Sequence, residues 1–242
     1  MAERSKKSRP VSAGAPATPA KKKPPIGLLL IGGAAVLVVI IVIILAVANQ
    51  PAKITAADYA EIPPEWINRN VIGNPEAKVV LQAWEDFLCP SCATWSQTVE
   101  QKLKEDYIKT GKVRLEYRYF PLSQHEPGAS TTAQAAECAA DQGAFWPMHD
   151  KIFAGQNSGA AGSSAERMIQ YAEDLALDSR VFTQCLTGQE HIDTVRASLN
   201  AAISLGLNST PSLLINGELV INPMDYAAVT TEIERLLAAA GQ

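Results

Sequence analysis

Metal ligands, aromatic rings and, over most of the length, basic residues are scarce in this chain. It has three histidines and four cysteines in 242 residues. A zinc site needs four ligands, usually with closely spaced pairs among them. Cys138, Cys185, His125, His149 and His191 offer no second close pair to set beside Cys89 and Cys92, so a zinc site is disfavoured. Basic residues crowd into positions 1–25, where seven Lys or Arg stand against one acid, Glu3. That stretch carries +6 and the whole chain −4, which leaves −10 on the rest. A domain that acidic lacks the clustered cations that phosphate contacts require, which argues against a nucleic-acid partner. No repeat of fixed period is visible. Large apolar residues are almost absent from 1–25, so this tail cannot offset its ordering entropy and is expected to be disordered.

What is present begins at Ile26. Residues 26–48 are 23 positions without a charge. As a helix they would extend roughly 34 Å, enough for a hydrocarbon core of about 30 Å. The basic tail lies directly before this run, which predicts a cytoplasmic N-terminus, a single transmembrane helix and an extracytoplasmic remainder. A cleaved signal peptide is the alternative, since Ala46-Val47-Ala48 resembles a cleavage site. The run is longer than the 7–15 residues typical of a signal core, which favours the uncleaved anchor. Both readings export the rest of the chain. Four cysteines in an exported part suit an oxidising compartment.

Residues 49–69, with Pro51, Pro63 and Pro64, are expected to form a linker and a docking segment that packs Trp66 on the domain. Val79 to Trp84 reads as a buried strand. Trp95, Val99, Leu103 and Tyr107 recur every four residues and predict a helix, which Gly111 ends. Val113 to Phe120 alternates as a strand and Pro121 closes it. A long helical region follows, about 127–206. Leu213-Leu214-Ile215 and Leu219-Val220-Ile221 flank Asn216-Gly217, a hairpin signal. An amphipathic helix ends the chain, with Tyr226, Val229, Ile233, Leu236 and Leu237 on one face. This order describes an α/β domain whose central sheet carries a helical insertion.

The strongest chemical signal is Cys89-Pro90-Ser91-Cys92, where a strand gives way to a helix. Three-residue spacing on a helical turn puts both sulfurs on one face, with Cα atoms roughly 5–6 Å apart, as a disulfide needs. Pro90 suits the first turn, where a missing N–H costs nothing. Cys89 at the helix N-terminus faces unpaired N–H groups and the positive end of the dipole, which stabilise a thiolate. Cys89 is thus the expected nucleophile and Cys92 the resolving thiol. An inert structural disulfide is the bland alternative.

An ordered set of segments extends this signal: Asp86-Phe87-Leu88-Cys89-Pro90-Ser91-Cys92, Phe120-Pro121-Leu122 with His125, Ala135-Ala136-Glu137-Cys138-Ala139, Gln142-Gly143-Ala144-Phe145-Trp146, and Thr210-Pro211 before the hairpin. With these the region 70–242 resembles the DsbA-like branch of the thioredoxin superfamily, a thioredoxin-like fold with a helical insertion. The resemblance implies that Pro211 is a cis-proline facing the active-site loop (Pro90 and Ser91), and that Thr210 pairs with extended substrate. No cofactor and no metal are expected. The branch usually carries a buried acid six residues before the first cysteine. Here that position is Ala83, and Glu85, of the same strand parity, is the substitute proton acceptor, unless it is a solvated turn residue. With the Cys89 pair assigned, Cys138 and Cys185 are left to pair with each other, as related proteins with cysteines in these segments also suggest. Closing that loop contributes roughly 4 kcal/mol in the chain-entropy model. A second redox relay is the alternative. Phe145, Trp146 and His149 read as packing. His125, near Pro121, reads as a capping or surface residue, with a place close to the active site as the alternative.

These readings predict a membrane-anchored thiol–disulfide oxidoreductase that oxidises dithiols of exported proteins, with unfolded thiol-bearing proteins as substrates. A quinone-linked membrane protein is the reoxidising partner the resemblance implies. A reductase or isomerase of the same fold is the alternative, and a redox-inactive tethered chaperone the further one.

Overall fold

The computed structural model describes residues 39–41, 59–156 and 162–241. The chain divides into two units, Met1–Pro51 and Ala52–Gln242. In the first, residues 39–41 are helical. The rest of the expected tail and transmembrane helix, 1–38 and 42–48, lies outside the described residues, as does 49–58 of the expected linker. Among the described residues no helix is long and apolar enough to cross a membrane.

The second unit is built on a six-stranded sheet. Its elements, in chain order, are β1 Ile67–Asn68, β2 Val71–Gly73 and β3 Val79–Glu85. Helix α1 starts as Pro90–Trp95 and runs on to residue 108 through two wider π-type turns, Ser96–Glu100 and Lys104–Ile108. Strand β4 is Val113–Tyr119. Five helices follow: α2 Gly128–Ala140, α3 Phe145–Ala154, α4 Ala165–Asp174, α5 Ser179–Gly188 and α6 Ile192–Ser204. Strands β5 Ser212–Ile215 and β6 Glu218–Leu219 and helix α7 Tyr226–Ala240 complete it. The strand order is β1-β2-β4-β3-β5-β6. Strands β3 and β4 are parallel and joined by α1, while the other neighbours are antiparallel.

Side-chain period explains the layers. In β3 the alternate residues Val79, Leu81, Ala83 and Glu85 are all buried, and the register sets Ala83 opposite Tyr117 and Glu85 opposite Tyr119. On α1, Trp95, Val99, Leu103 and Tyr107 are buried, as their four-residue spacing predicts. Full burial of a Leu or Phe side chain contributes about 1.5–3 kcal/mol, so this stripe holds the long helix on the sheet. A ring cluster ties the sheet to the inserted helices: Phe87 stacks on Tyr117 at 4.9 Å, and His149 meets Phe153 edge-on at 4.8 Å. Trp84, Phe120, Ala202, Leu207 and Leu214 form a second, smaller core.

The expected long helical region is five helices because capping residues interrupt it. Asp178 accepts hydrogen bonds from the N–H groups of Arg180 and Val181, both at 3.0 Å, and so starts α5. Ser164 caps α4 through the Arg167 N–H at 3.3 Å. A good cap contributes about 1 kcal/mol. The turn Asn216-Gly217 has positive φ at both residues, 49° and 89°, which is what a two-residue hairpin turn demands. The docking segment does more than pack Trp66: Tyr59 and Ile62 are buried in the core, and Ile67–Asn68 is itself the edge strand β1.

Candidate active site

Strand β3 ends at Glu85, and Asp86, Phe87 and Leu88 carry the chain to Cys89, the residue that caps α1. This loop is held from three sides. The Asp86 carboxylate accepts hydrogen bonds from the Leu88 N–H at 2.7 Å and the Leu122 N–H at 2.8 Å, and its Oδ2 lies 2.7 Å from His125 Nδ1. Gln156, just beyond α3, donates through Nε2 to the carbonyls of Phe87 at 2.6 Å and Cys89 at 3.0 Å. The third support is the loop before β5, where the Thr210–Pro211 peptide bond is cis. Cys89 Sγ lies 3.5 Å from the Thr210 carbonyl oxygen. Pro90 is the first helical residue, and Ser91 is exposed beside it.

Cys89 and Cys92 are free thiols in this structure. Cys89 retains 7% of its surface and Cys92 none, which makes Cys89 the sulfur that solvent reaches. The Cys89 thiol is lowered from 9.0 to about 5. The hydrogen bond from the Cys92 thiol is the largest cause. Thr210 and the backbone N–H groups of Cys92 and Ser91 add to it, against a burial effect that pushes the other way. Those N–H groups are the unpaired donors of the first helical turn. Cys92 moves in the opposite direction, driven up by burial, by its hydrogen bond to Cys89 and by the negative charge of Glu85. Two thiols one helical turn apart are thus split into a thiolate and a protonated thiol.

Glu85 is a buried residue at 1% exposure, not a solvated one. Its carboxyl is pushed well up, by burial first and then by Glu100 and Cys89, while the Cys92 thiol pulls it partly back. Behind it stand Glu100 on α1 and His149 on α3, both fully buried. One donor atom from each of the three lies within 4.8 Å of the others. Groups that close share either a cation or protons. The Lys104 ammonium already acts on Glu100, and all three side chains are sealed from solvent, which favours protons.

Cys138 and Cys185 are joined as a disulfide between α2 and α5, with Cα atoms 5.9 Å apart. His191 lies near these sulfurs, but sulfurs bonded to each other are not thiolate ligands. A wider cavity of about 670 Å³ is lined by Arg69, Trp84, Arg118, Glu137 and His191 and not by either free thiol. Its cations are already paired, Arg69 with Glu137 and Asp141, and Arg118 with Glu116.

Sequence reasoning missed how five residues support this site. Asp86 and His125 were visible in the motif but not as partners, because 39 residues separate them. Gln156 carries no motif signal at all. Glu100 and His149 sit at ordinary core positions of their helices, and only the fold turns them towards Glu85.

A family model described as Thioredoxin matches residues 67–235. The probable disulfide bond formation protein D of Bacillus anthracis is 31% identical over 169 residues, covering 69% of this chain and 77% of that protein. The Na(+)/H(+) antiporter NhaA 3 of Salinispora tropica is 31% identical over 171 residues, 71% of this chain. There the chain spans only a quarter of the relative's length. Among solved structures, oxidised BdbD from Bacillus subtilis aligns with a TM-score of 0.64 at 21% identity, over 71% of this chain and 94% of that one. A parallel β3–α1–β4 unit, a cysteine pair at the α1 N-terminus and these matches lead to one conclusion: the chain belongs to the thioredoxin family, in its branch of DsbA-like thiol–disulfide oxidoreductases.

Proposed function

We propose that this oxidoreductase works outside the cytoplasm, tethered by the apolar run 26–48, and oxidises dithiols of exported proteins through Cys89 and Cys92. The observation that carries the direction is the Cys89 thiolate, held at a pKa of about 5 by the Cys92 thiol, Thr210 and the first-turn N–H groups. A stabilised thiolate stabilises the reduced enzyme, and an enzyme stable when reduced is a good oxidant.

In the proposed cycle a substrate thiolate attacks Cys89 Sγ of the oxidised pair. The Cys89–Cys92 bond breaks, and the departing Cys92 sulfur takes the proton of the Glu85 carboxylic acid. The second substrate thiol loses its proton to solvent and attacks the substrate sulfur of the mixed disulfide. Cys89 leaves as its stabilised thiolate. The substrate gains one disulfide and the enzyme gains two electrons, which a quinone-linked membrane partner removes. Thr210, beside Cys89 on the cis-proline loop, is the proposed backbone partner of extended substrate. The basic tail before residues 26–48 supports the export reading through charge asymmetry.

The test is to present the purified full-length chain, in detergent micelles, with a reduced unfolded protein and separately with oxidised insulin. Rapid oxidation of the former with slow reduction of the latter is expected. The reverse preference favours the reductase reading, which the same cysteine geometry permits chemically.

A further inference from the structure

Two buried acids and a buried imidazole are more polar machinery than Cys92 needs if Glu85 alone serves it. Among the described residues no nitrogen or oxygen partner of good geometry meets either oxygen of Glu85 or Glu100, or His149 Nε2, although the Cys92 thiol acts on Glu85 and the Ser96 side chain on Glu100. Five polar atoms so poorly satisfied in one sealed place are costly. Such a cluster calls for a physical role, and holding or exchanging something in catalysis is one. Protons fit that description. Glu100 Oε2 lies 3.6 Å from His149 Nε2, and the Cys92 thiol faces Glu85. On the far side His149 Nδ1 is 2.8 Å from Asp150 Oδ1. Asp150 Oδ2 in turn accepts from the Tyr59 hydroxyl at 2.6 Å and lies 3.7 Å from Lys104 Nζ. Asp150 retains 13% of its side-chain surface, and Tyr59 lines a surface cavity of about 240 Å³. The polar chain therefore runs from the resolving thiol to solvent.

We propose that Glu100 and His149 form a buried proton relay that connects Glu85, under Cys92, with the protein surface at Asp150. This rests on the proposed role of Glu85 as the proton partner of Cys92. When Cys92 leaves as a thiolate, the Glu85 O–H breaks and the Cys92 S–H forms. The Glu85 carboxylate then regains a proton along Glu100 and His149, and a solvent proton replaces it at Asp150. In the reverse direction, the relay first carries the Glu85 proton out to solvent at Asp150, and Cys92 then gives its proton to the Glu85 carboxylate before its sulfur attacks Cys89. The relay removes a difficulty of the site, since a carboxylate stranded in that apolar place beside a second acid is expensive. The groups facing it are Cys89 at the start of α1, Cys92, Glu100 and Lys104 from α1, Glu85 from β3, His149 and Asp150 from α3, and Tyr59 from the docking segment. The Tyr117 hydroxyl from β4, without a hydrogen-bond partner among the described residues, completes the enclosure.

Glu100 and His149 are positioning residues in this account, so the test must separate relay from packing. The reduced full-length chain in detergent micelles is mixed with an aromatic disulfide whose released thiolate is coloured. The first release reports attack by Cys89, and the second reports attack by Cys92 on the mixed disulfide. Glu100→Gln is expected to slow the second release about tenfold or more while the first is unchanged. It should also move the pH midpoint of the second release downward, because Glu85 loses the neighbour that raises it. Glu100→Asp should restore most of the rate, and His149→Gln should act like Glu100→Gln if the latter does not fold. A second release in Glu100→Gln with the parent's rate and pH profile, while Glu85→Gln is slow, overturns the relay and leaves Glu85 standing. An unchanged second release in Glu85→Gln overturns the role of Glu85 and the relay with it. Equal slowing of both releases means loosened packing and overturns the relay, as does a stoichiometric divalent cation released when the purified protein is unfolded.

Discussion

Replacing Cys92 by Ala is the sharpest perturbation of the thiolate at Cys89. The Cys92 thiol is the largest single cause of the low Cys89 pKa, ahead of Thr210 and the backbone N–H groups. Its removal leaves the helix N-terminus as the main support, so the Cys89 midpoint should rise from about 5 by roughly 1–2 units. The energetic stake follows from the same figures. At pH 7 a thiol of pKa 9.0 is almost wholly protonated, while one near 5 is almost wholly ionised. Each unit between 5 and 7 is worth about 1.36 kcal/mol, which sets an upper limit of about 2.7 kcal/mol in favour of the reduced fold. The sulfur is the solvent-reachable one, and screening brings this to about 1–2 kcal/mol, or about 20–40 mV on a two-electron couple. The assay is the ultraviolet absorbance of the thiolate against pH on the reduced full-length chain and on Cys92→Ala, with alkylation mapped to the residue. A parent midpoint near 9, or a Cys92→Ala midpoint identical to the parent's, would refute this reasoning.

Four further outcomes are expected. The reduced form should gain stability relative to the oxidised form as pH rises from 5 towards 9. A lowered thiol pKa contributes fully above its unfolded value and loses its contribution as pH falls through its folded one; paired thermal melts at several pH values check this. Cys138→Ala with Cys185→Ala should cost up to about 4 kcal/mol and leave dithiol oxidation largely intact, read by denaturant unfolding beside the turnover assay. Lost turnover with an unchanged fold would assign that pair to a relay. Asp86→Ala should cost about 2–4 kcal/mol, because it frees two loop N–H groups and the His125 contact, and should lower the Cys89 alkylation rate. Protease added to intact spheroplasts should digest residues 49–242 and spare the tail, whereas a mature N-terminus at Asn49 would replace the anchor with a cleaved signal.

The legible parts of the sequence were those with local causes. The cysteine pair at a strand-to-helix junction, the α1 stripe Trp95–Val99–Leu103–Tyr107 and the Asn216-Gly217 turn each follow from residues within a few positions of one another. The helical insertion was legible as composition, but its division into five helices depends on caps such as Asp178, whose side chain had to be read against a particular turn. The surroundings of the thiols were harder to read. Gln156 holds the carbonyls of Phe87 and Cys89 from 69 and 67 residues away. His149 reads as one more ring in an aromatic helix, and it is indeed packed against Phe87, Tyr117 and Phe153. Its polar edge acquires meaning only when the α1 stripe delivers Glu100 to the same place. Strand parity placed Glu85 on the same buried face as Ala83, because a period of two keeps both on one side.

The central claim is that the Cys89–Cys92 couple is an oxidant of dithiols, and its reduction potential tests that claim most directly. Equilibration of the full-length chain with glutathione buffers of known ratio, with the oxidised fraction read by thiol trapping, gives the value. Ser91 brings no positive charge beside Cys89, so the potential should fall between about −270 mV, the level of thioredoxin, and about −120 mV, the level of DsbA. A potential at or below about −270 mV, together with efficient insulin reduction, would contradict the oxidase account.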